Sequence, residues 1–446
     1  LIRNKHLPHK REISMNITVL VLFGSFALLM VLGIPIAFAI GVSATLTFLL
    51  FMSVDQSLSI VAQQIASGLD SFTLIAIPFF ILAGNIMNRG GIALRLIDLA
   101  KVLAGRLPGS LAHVNIISNM LFGALSGSAV ASAAAVGGVM APIQKREGYD
   151  PAFSTAVNVT SCPTGLLIPP STTLIVYSLI TGGTSIAALF LAGYLPGIIM
   201  GLSLMVMAGI ISKRKGYPVA EKPSLAEVKS AVRRAILPLG LIVVVIGGII
   251  SGVFTATEAS AIAVAYSLFL SLCWYREIGV TDLPKIFIDS VVTTSIVLFL
   301  IGCSIAMSRA MAFGDIPLTI SSFMIGISDN PIIILLCITV VLLVIGTFMD
   351  MTPALLIFTP ILMPVMQDIG IDPVHFGIIM TINLCVGICT PPVGSALFVG
   401  CSISGVSIGQ VMKPILPFYL VLIAIVLLVT FVPQISLFLP QLILGY

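Results

Sequence analysis

Charge is what this sequence has least of. Lys, Arg, Asp and Glu make up 9% of its 446 residues, against 58% hydrophobic residues, whereas a soluble chain carries about 25% charged residues to cover its surface. A soluble multidomain enzyme is thereby excluded. The scarcity is also uneven, because residues 17–52, 111–143, 151–212, 373–412 and 414–446 contain no Asp, Glu, Lys or Arg at all. Crossing the hydrocarbon core takes about 20 apolar residues per helix, so several of these windows have room for two passes, or for a pass and a re-entrant hairpin. About ten to twelve membrane-embedded segments are expected. The short alternating segments of an outer-membrane barrel are missing, which leaves an all-α polytopic membrane protein.

Catalytic signatures are missing too. There is no Gly-x-x-x-x-Gly-Lys-Ser/Thr loop and no His-Glu-x-x-His, so nothing supports phosphoryl transfer or zinc-dependent hydrolysis. Without a nucleotide site, any transport must run on an ion gradient or through a partner that has one. The seven cysteines lie in apolar stretches, unlike a secreted disulfide framework. Cys385 and Cys389 share a helix face, but only the distant His375 could extend them toward a metal shell, so they read as buried apolar thiols. No organic cofactor and no nucleic-acid partner is expected; the partner that composition does specify is the lipid bilayer.

Glycine and proline are plentiful, at 39 and 26 residues, and they punctuate the apolar runs. After a polar, basic extension at 1–14, two spans flank Pro35 and an amphipathic stretch follows at 57–69. The run 111–143 is too long for one helix and is rich in Ala, Gly and Ser at its centre, as a hairpin entering and leaving on one side would be. The next, 151–180, is interrupted by Cys162-Pro163-Thr164-Gly165 and by Pro169-Pro170. The hydrophilic connector 213–234 carries seven basic and two acidic residues, and the positive-inside bias keeps such a loop in the cytoplasm. The small net charge is thus an orientation signal.

This connector divides two copies. Shifting the sequence by 222 residues aligns Pro142 with Pro364, Gly148 with Gly370, Asp150-Pro151 with Asp372-Pro373, and Gly165 with Gly387. It also aligns Pro169-Pro170 with Pro391-Pro392, Gly183 with Gly405, and Ser185-Ile186 with Ser407-Ile408. Ten of 45 positions are identical without a gap, nine of them Gly, Pro, Asp or Ser, which shape backbone and caps where shared Leu would mean little. The expected repeats are 15–212 and 235–446, the second with a hairpin at about 333–365 and a broken helix at 373–400. An odd number of crossings in each half would make them inverted; the basic N-terminal tail argues for an even number.

Non-helical backbone survives in the hydrocarbon core only where it is buried in protein or lines a wet cavity, since an unpaired amide or carbonyl costs several kcal/mol there. Matching breaks in two halves therefore mark a binding site. Each break frees carbonyls suited to a small cation and amides suited to a carboxylate. The candidate cation ligands are Ser126, Gly127, Ser128, Thr164, Gly165, Asp350, Thr352, Thr390, Pro391 and Gly394, with sodium expected at the hairpin tips and helix breaks. The candidate substrate contacts are Asn158, Pro170, Ser171, Asn383, Pro392 and Arg309. Glu258 reads equally as an ion ligand and as the cap of a helix begun at Thr257. Arg89 and Arg309 lie near span ends, where snorkelling competes with carboxylate pairing. His113 and His375 read as structural, and Trp274-Tyr275-Arg276 as an interface anchor.

Four segments carry a family resemblance: Ile77-Pro78-Phe79-Phe80-Ile81-Leu82-Ala83-Gly84, Phe122-Gly123-Ala124-Leu125-Ser126-Gly127-Ser128, Gly346-Thr347-Phe348-Met349-Asp350, and Asn383-Leu384 through Thr390-Pro391-Pro392-Val393-Gly394. Together they resemble the large membrane subunit of tripartite ATP-independent periplasmic (TRAP) transporters, from about Met15 onward. The resemblance implies an inverted-repeat elevator fold of the ion-transporter superfamily, sodium coupling, and residence in the bacterial inner membrane. It also implies a small four-helix membrane subunit and a periplasmic substrate-binding protein that delivers an organic anion such as a C4-dicarboxylate, a sialic acid or a sugar acid. In relatives whose two membrane subunits are fused, 1–14 would be a linker. Two other readings compete. A stand-alone divalent-anion symporter would need no binding protein, and a membrane enzyme would have to use Asp350 and Glu258 without a partnering His.

Overall fold

The computed structural model describes residues 7–104, 107–219, 223–328 and 330–446, and among them it is helical with no strand. The extension at 1–14 lies outside the described residues over 1–6, as do Glu221 and Lys222 of the connector. Among the described residues, eight helices are long and apolar enough to cross a membrane, or nine if the pair Pro151–Leu167 and Thr172–Ile180, bent by 49°, is one span.

The helices recur in order at the 222-residue offset. Hairpin arms Ser110–Ser126 and Ala129–Arg146 match Pro331–Phe348 and Met351–Asp368; Pro151–Ser161 matches Pro373–Gly387; Thr172–Ile180 matches Ser395–Ser404; and Ile186–Lys215 matches Ile408–Phe431. Earlier in each half, Ile36–Phe48 matches Ala256–Leu268, and Ile92–Ala104 matches Ile316–Ile327. One departure is instructive. Val54–Leu69 and Phe72–Arg89 are separated at Asp70-Ser71, whereas their counterpart Leu283–Phe313 runs unbroken for 31 residues.

The residues shared between halves are those that start and stop these helices. Gly148 and Gly370 end the second hairpin arms at φ 78° and 75°, a left-handed conformation that side chains resist. Asp150 and Asp372 then cap the next helices, accepting from the amides of Ala152 (3.0 Å) and Val374 (2.8 Å), with proline in the first turn. Ser185 and Ser407 do the same for the closing spans, accepting from Ala188 and Gln410. Each such cap is worth about 1 kcal/mol. The Pro169-Pro170 and Pro391-Pro392 bonds are both cis.

Two expectations need correcting. The connector is shorter than 213–234, because Ile186–Lys215 keeps three of its basic residues in helix and Leu225–Ile250 begins before it ends. Basic side chains oppose the negative end of the first helix, and the Ser224–Glu227 capping box starts the second. Glu258 is a cap, at a helix that begins after Thr255 and not at Thr257: its Oε2 accepts from the Thr255 amide and hydroxyl, both at 2.8 Å.

Packing exchanges the halves. Thr172–Ile180 lies on Met351–Asp368, and Ser395–Ser404 lies on Ala129–Arg146, so each post-break helix packs on the other half's hairpin. Likewise Ile36–Phe48 packs on Leu283–Phe313, and Ala256–Leu268 on Ala76–Arg89. Neither half is complete alone, and the two breaks meet at the centre.

Candidate substrate and cation site

Each hairpin is pressed onto its own half's broken helix through a pair of glycines. A β-carbon on Gly165 would lie 2.2 Å from the Gly123 α-carbon, and one on Gly387 would lie 2.4 Å from the Gly346 α-carbon. No side chain fits in either place. The tips are then fastened to the breaks by hydrogen bonds: the Thr172 hydroxyl donates to the Gly127 carbonyl (3.1 Å), the Val393 amide to the Thr347 carbonyl (3.2 Å), and the Ser395 hydroxyl to Asp350 Oδ1 (3.1 Å). Back to back, the Cys389 thiol reaches the Val159 carbonyl at 3.0 Å. The two breaks therefore form one continuous central region.

At the first tip, Gly127 turns the chain at φ 61° and Ser128 caps the second arm, accepting from the Ala131 amide at 3.3 Å. Ser126 is buried, and its carbonyl faces Gly84, where a β-carbon would lie 3.2 Å away; the Ile77–Gly84 motif is thus the seat of this tip. Thr164 is buried and donates back to the Ser161 carbonyl (2.6 Å), leaving only its oxygen lone pairs to offer. Ser171, beside the buried Pro170, is itself wholly buried and its hydroxyl has no partner. This tip has many oxygens and no charge.

The second tip differs by one carboxylate. Asp350 takes the position of Ser128 at the head of the second arm, is exposed, and makes no ion pair among the described residues. Thr352 is half-buried in the first turn of that arm. Across from it, Thr390 donates to the Val386 carbonyl (2.8 Å), Pro391 is half-buried and Pro392 is exposed. A β-carbon on Gly394 would meet the carbonyl oxygens of Thr390 at 2.8 Å and Ile388 at 3.2 Å; the Ile388 carbonyl accepts from the Ala396 amide at 3.1 Å. Asn383 gives its amide nitrogen to the Ile379 carbonyl (2.7 Å) and keeps a buried amide oxygen without a partner.

Asn158 has a different job from the substrate contact expected of it. Its Nδ2 donates to the Ala133 carbonyl (2.9 Å), and its Oδ1 accepts from Asn119 Nδ2 (3.1 Å). Asn119 also reaches Asn115 Oδ1 (3.1 Å) and Ser161 Oγ (2.7 Å), while Ser132 donates to Asn119 Oδ1 (2.8 Å). This buried network joins both hairpin arms to the broken helix. Asn115 and Asn119 were missed in the sequence, although two amides four residues apart in a charge-free run were visible. The second half has Cys337, Val341, Ala354 and Met380 at the matching positions.

The arginines separate. Arg89 pairs with Asp289 at 2.5 Å, both partners half-exposed, and so joins the halves and does not wait for substrate. Arg309 lies near the end of Leu283–Phe313 against the Phe313 ring (5.9 Å), with no ion pair among the described residues. It lines a cleft of about 390 Å³ that also touches Leu179, Ile180 and Leu356. His113 and His375 each meet a backbone carbonyl, of Pro108 and Thr430, as packed structural rings do. Tyr275 holds the Arg95 guanidinium over its ring at 3.6 Å and donates to the Arg234 carbonyl.

Twin broken helices, each closed by a hairpin tip inside an all-helical membrane chain, define a transporter. The comparisons are more specific. Residues 23–435 match the family described as the tripartite ATP-independent periplasmic transporter, DctM component. An uncharacterized protein, YgiK, of Salmonella typhimurium is 59% identical over 95% of this chain and 97% of its own. The sialic acid TRAP transporter large permease protein SiaM of Vibrio cholerae is 38% identical over 95% and 99%, and the C4-dicarboxylate large permease protein DctM of Pseudomonas aeruginosa 39% over 90% and 94%. In fold, the YdaH transporter of Alcanivorax borkumensis aligns with a TM-score of 0.61 over 84% of this chain and 88% of that one, at 12% identity. The chain belongs to the TRAP transporter large permease family, and with it to the multi-pass proteins of the bacterial inner membrane. It is a transport subunit and not an enzyme. Its family works with a small membrane subunit and a periplasmic binding protein.

Proposed function

We propose that this chain drives sodium-coupled import of an organic acid anion handed over by a periplasmic binding protein, with the small subunit as its membrane partner. The observation that carries the reading is the pair of oxygen-rich tips fastened to the two breaks, neutral at Ser126–Ser128 and singly charged at Asp350. Hydroxyls and freed carbonyls supply the several oxygens that sodium requires while few formal charges enter the membrane. Sodium bound beside Ser126, Ser128, Thr164, Asp350, Thr352, Thr390 and Gly394 would neutralise the region and favour a carboxylate at the neighbouring helix N-termini. The two halves act as inverted repeats, and the hairpins with their broken helices move together against the remaining spans in elevator fashion. The acids named for relatives, sialic acid and C4-dicarboxylates, give the substrate range.

Uptake into proteoliposomes holding both membrane subunits, with the binding protein outside, tests this. An inward sodium gradient should drive accumulation. Accumulation that proceeds equally well with potassium in place of sodium refutes the coupling.

A further inference from the structure

The cleft around Arg309 narrows the substrate class, on the basis of the transport reading above. Its side of the membrane follows from the ion pairs. Arg234, at the end of the cytoplasmic connector, pairs with Asp98 at 3.3 Å on the helix Ile92–Ala104. Arg89, three residues before that helix, pairs with Asp289. From these cytoplasmic anchors, Arg309 lies twenty residues along the unbroken helix Leu283–Phe313, about 30 Å away. Ser71 lies a similar distance back along Phe72–Arg89. One hydrocarbon core is about 30 Å thick, so the cleft sits on the periplasmic side, where a delivered substrate arrives.

Its lining is chemically one-sided. Gln64, Ser67, Ser71, Ser304 and Ser308 surround Arg309, and no Asp, Glu, Lys or His joins them. Leu179, Ile180 and Leu356 form the wall toward the hairpins and breaks, and Leu356 is six residues, about 9 Å of helix, beyond Asp350. The volume, about 390 Å³, is within the range of small-ligand pockets. One unpaired guanidinium can take one carboxylate, bidentately. The remaining groups are an amide and hydroxyls, which match neutral hydroxyl or amide substituents. A second carboxylate would lose water against leucine and isoleucine with no cation to meet it.

We infer that this cleft is the periplasmic entry site for a monocarboxylate with an uncharged, polyhydroxylated tail, and that Arg309 and Gln64 select it over dicarboxylates. Because the binding protein also selects substrate, the test reads the membrane subunits directly. Ala312→Cys, at the cleft wall, is introduced into a background lacking Cys273 and Cys337, and its labelling by a membrane-impermeant maleimide is timed in sodium. Gluconate should slow labelling about tenfold, with equal concentrations of succinate or glucose changing it less than about twofold. Arg309→Gln and Gln64→Ala should each remove most of the gluconate effect. Succinate protecting as well as gluconate, no protection by any of the three, or gluconate protection that survives both substitutions overturns the assignment. Sodium-driven uptake of any acid by the same complex with its binding protein is measured alongside. Its presence with the wrong protection pattern sinks this inference alone, and its absence sinks the transport reading.

Discussion

At the scale of the residue, two carboxylates near helix starts look alike in sequence and do different work. Glu258 closes a capping box with Thr255, its carboxylate accepting from the Thr255 amide and hydroxyl. The Asp350 carboxylate is exposed and accepts from the Ser395 hydroxyl across the break. Asp350→Asn should therefore raise the sodium concentration for half-maximal uptake by about tenfold or more, since the site loses its one formal charge. Glu258→Gln should leave that concentration unchanged and lower only thermal stability. Sodium titrations of the two variants side by side check this, and equal effects would remove Asp350 from the site. Local sequence could not separate the two, because a cap is recognised by which amide it meets, and only coordinates give that.

At the scale of the element, the hairpins and broken helices were legible from the paired breaks and the Pro and Gly that make them. Gly165 and Gly387 stood out through the repeat, but their partners Gly123 and Gly346 did not, being one position out of register at the 222-residue offset. The contact explains why glycine is needed on both surfaces. Gly387→Ala would place a methyl group 2.4 Å from the Gly346 backbone, and overpacking of this kind costs about 1–3 kcal/mol. Lowered thermal unfolding in detergent, with uptake falling in parallel, is the expected outcome; an unchanged midpoint would mean the second hairpin stands off from its break. The first hairpin has an additional fastening in Asn115, Asn119, Asn158, Ser132 and Ser161, which the apolar second half lacks. Their residue types were readable, but their convergence depends on how two helix pairs cross.

At the scale of the whole molecule, the connector fixes the frame. With Lys213, Arg214, Lys215, Lys229, Arg233 and Arg234 about it, that face is expected in the cytoplasm by the positive-inside bias, and the ion pairs of Arg89, Arg95 and Arg234 tie both halves together there. Lys229→Cys should react with an impermeant maleimide in inside-out vesicles and stay unreactive in intact cells. The opposite pattern would invert the sidedness on which the Arg309 cleft depends. Each tie has at least one exposed partner and is individually weak, about 0–1 kcal/mol, so cohesion rests on the exchanged packing of post-break helices against the opposite hairpins.

The sequence by itself determined the membrane class, the two-copy organisation, the positions of the breaks and the family, because hydrophobic length, charge placement and backbone-shaping residues are local properties. Only the tertiary structure decided that Glu258 is a cap, that Asn158 is a fastening, that Arg89 is paired while Arg309 has no ion pair among the described residues, and that serines line the cleft around Arg309. Those are facts about which side chains meet across helices far apart in the chain, and meeting is set by packing angle and register, which no single segment encodes. The low charge of the sequence thus says where the protein lives, and packing decides which of its charges meet.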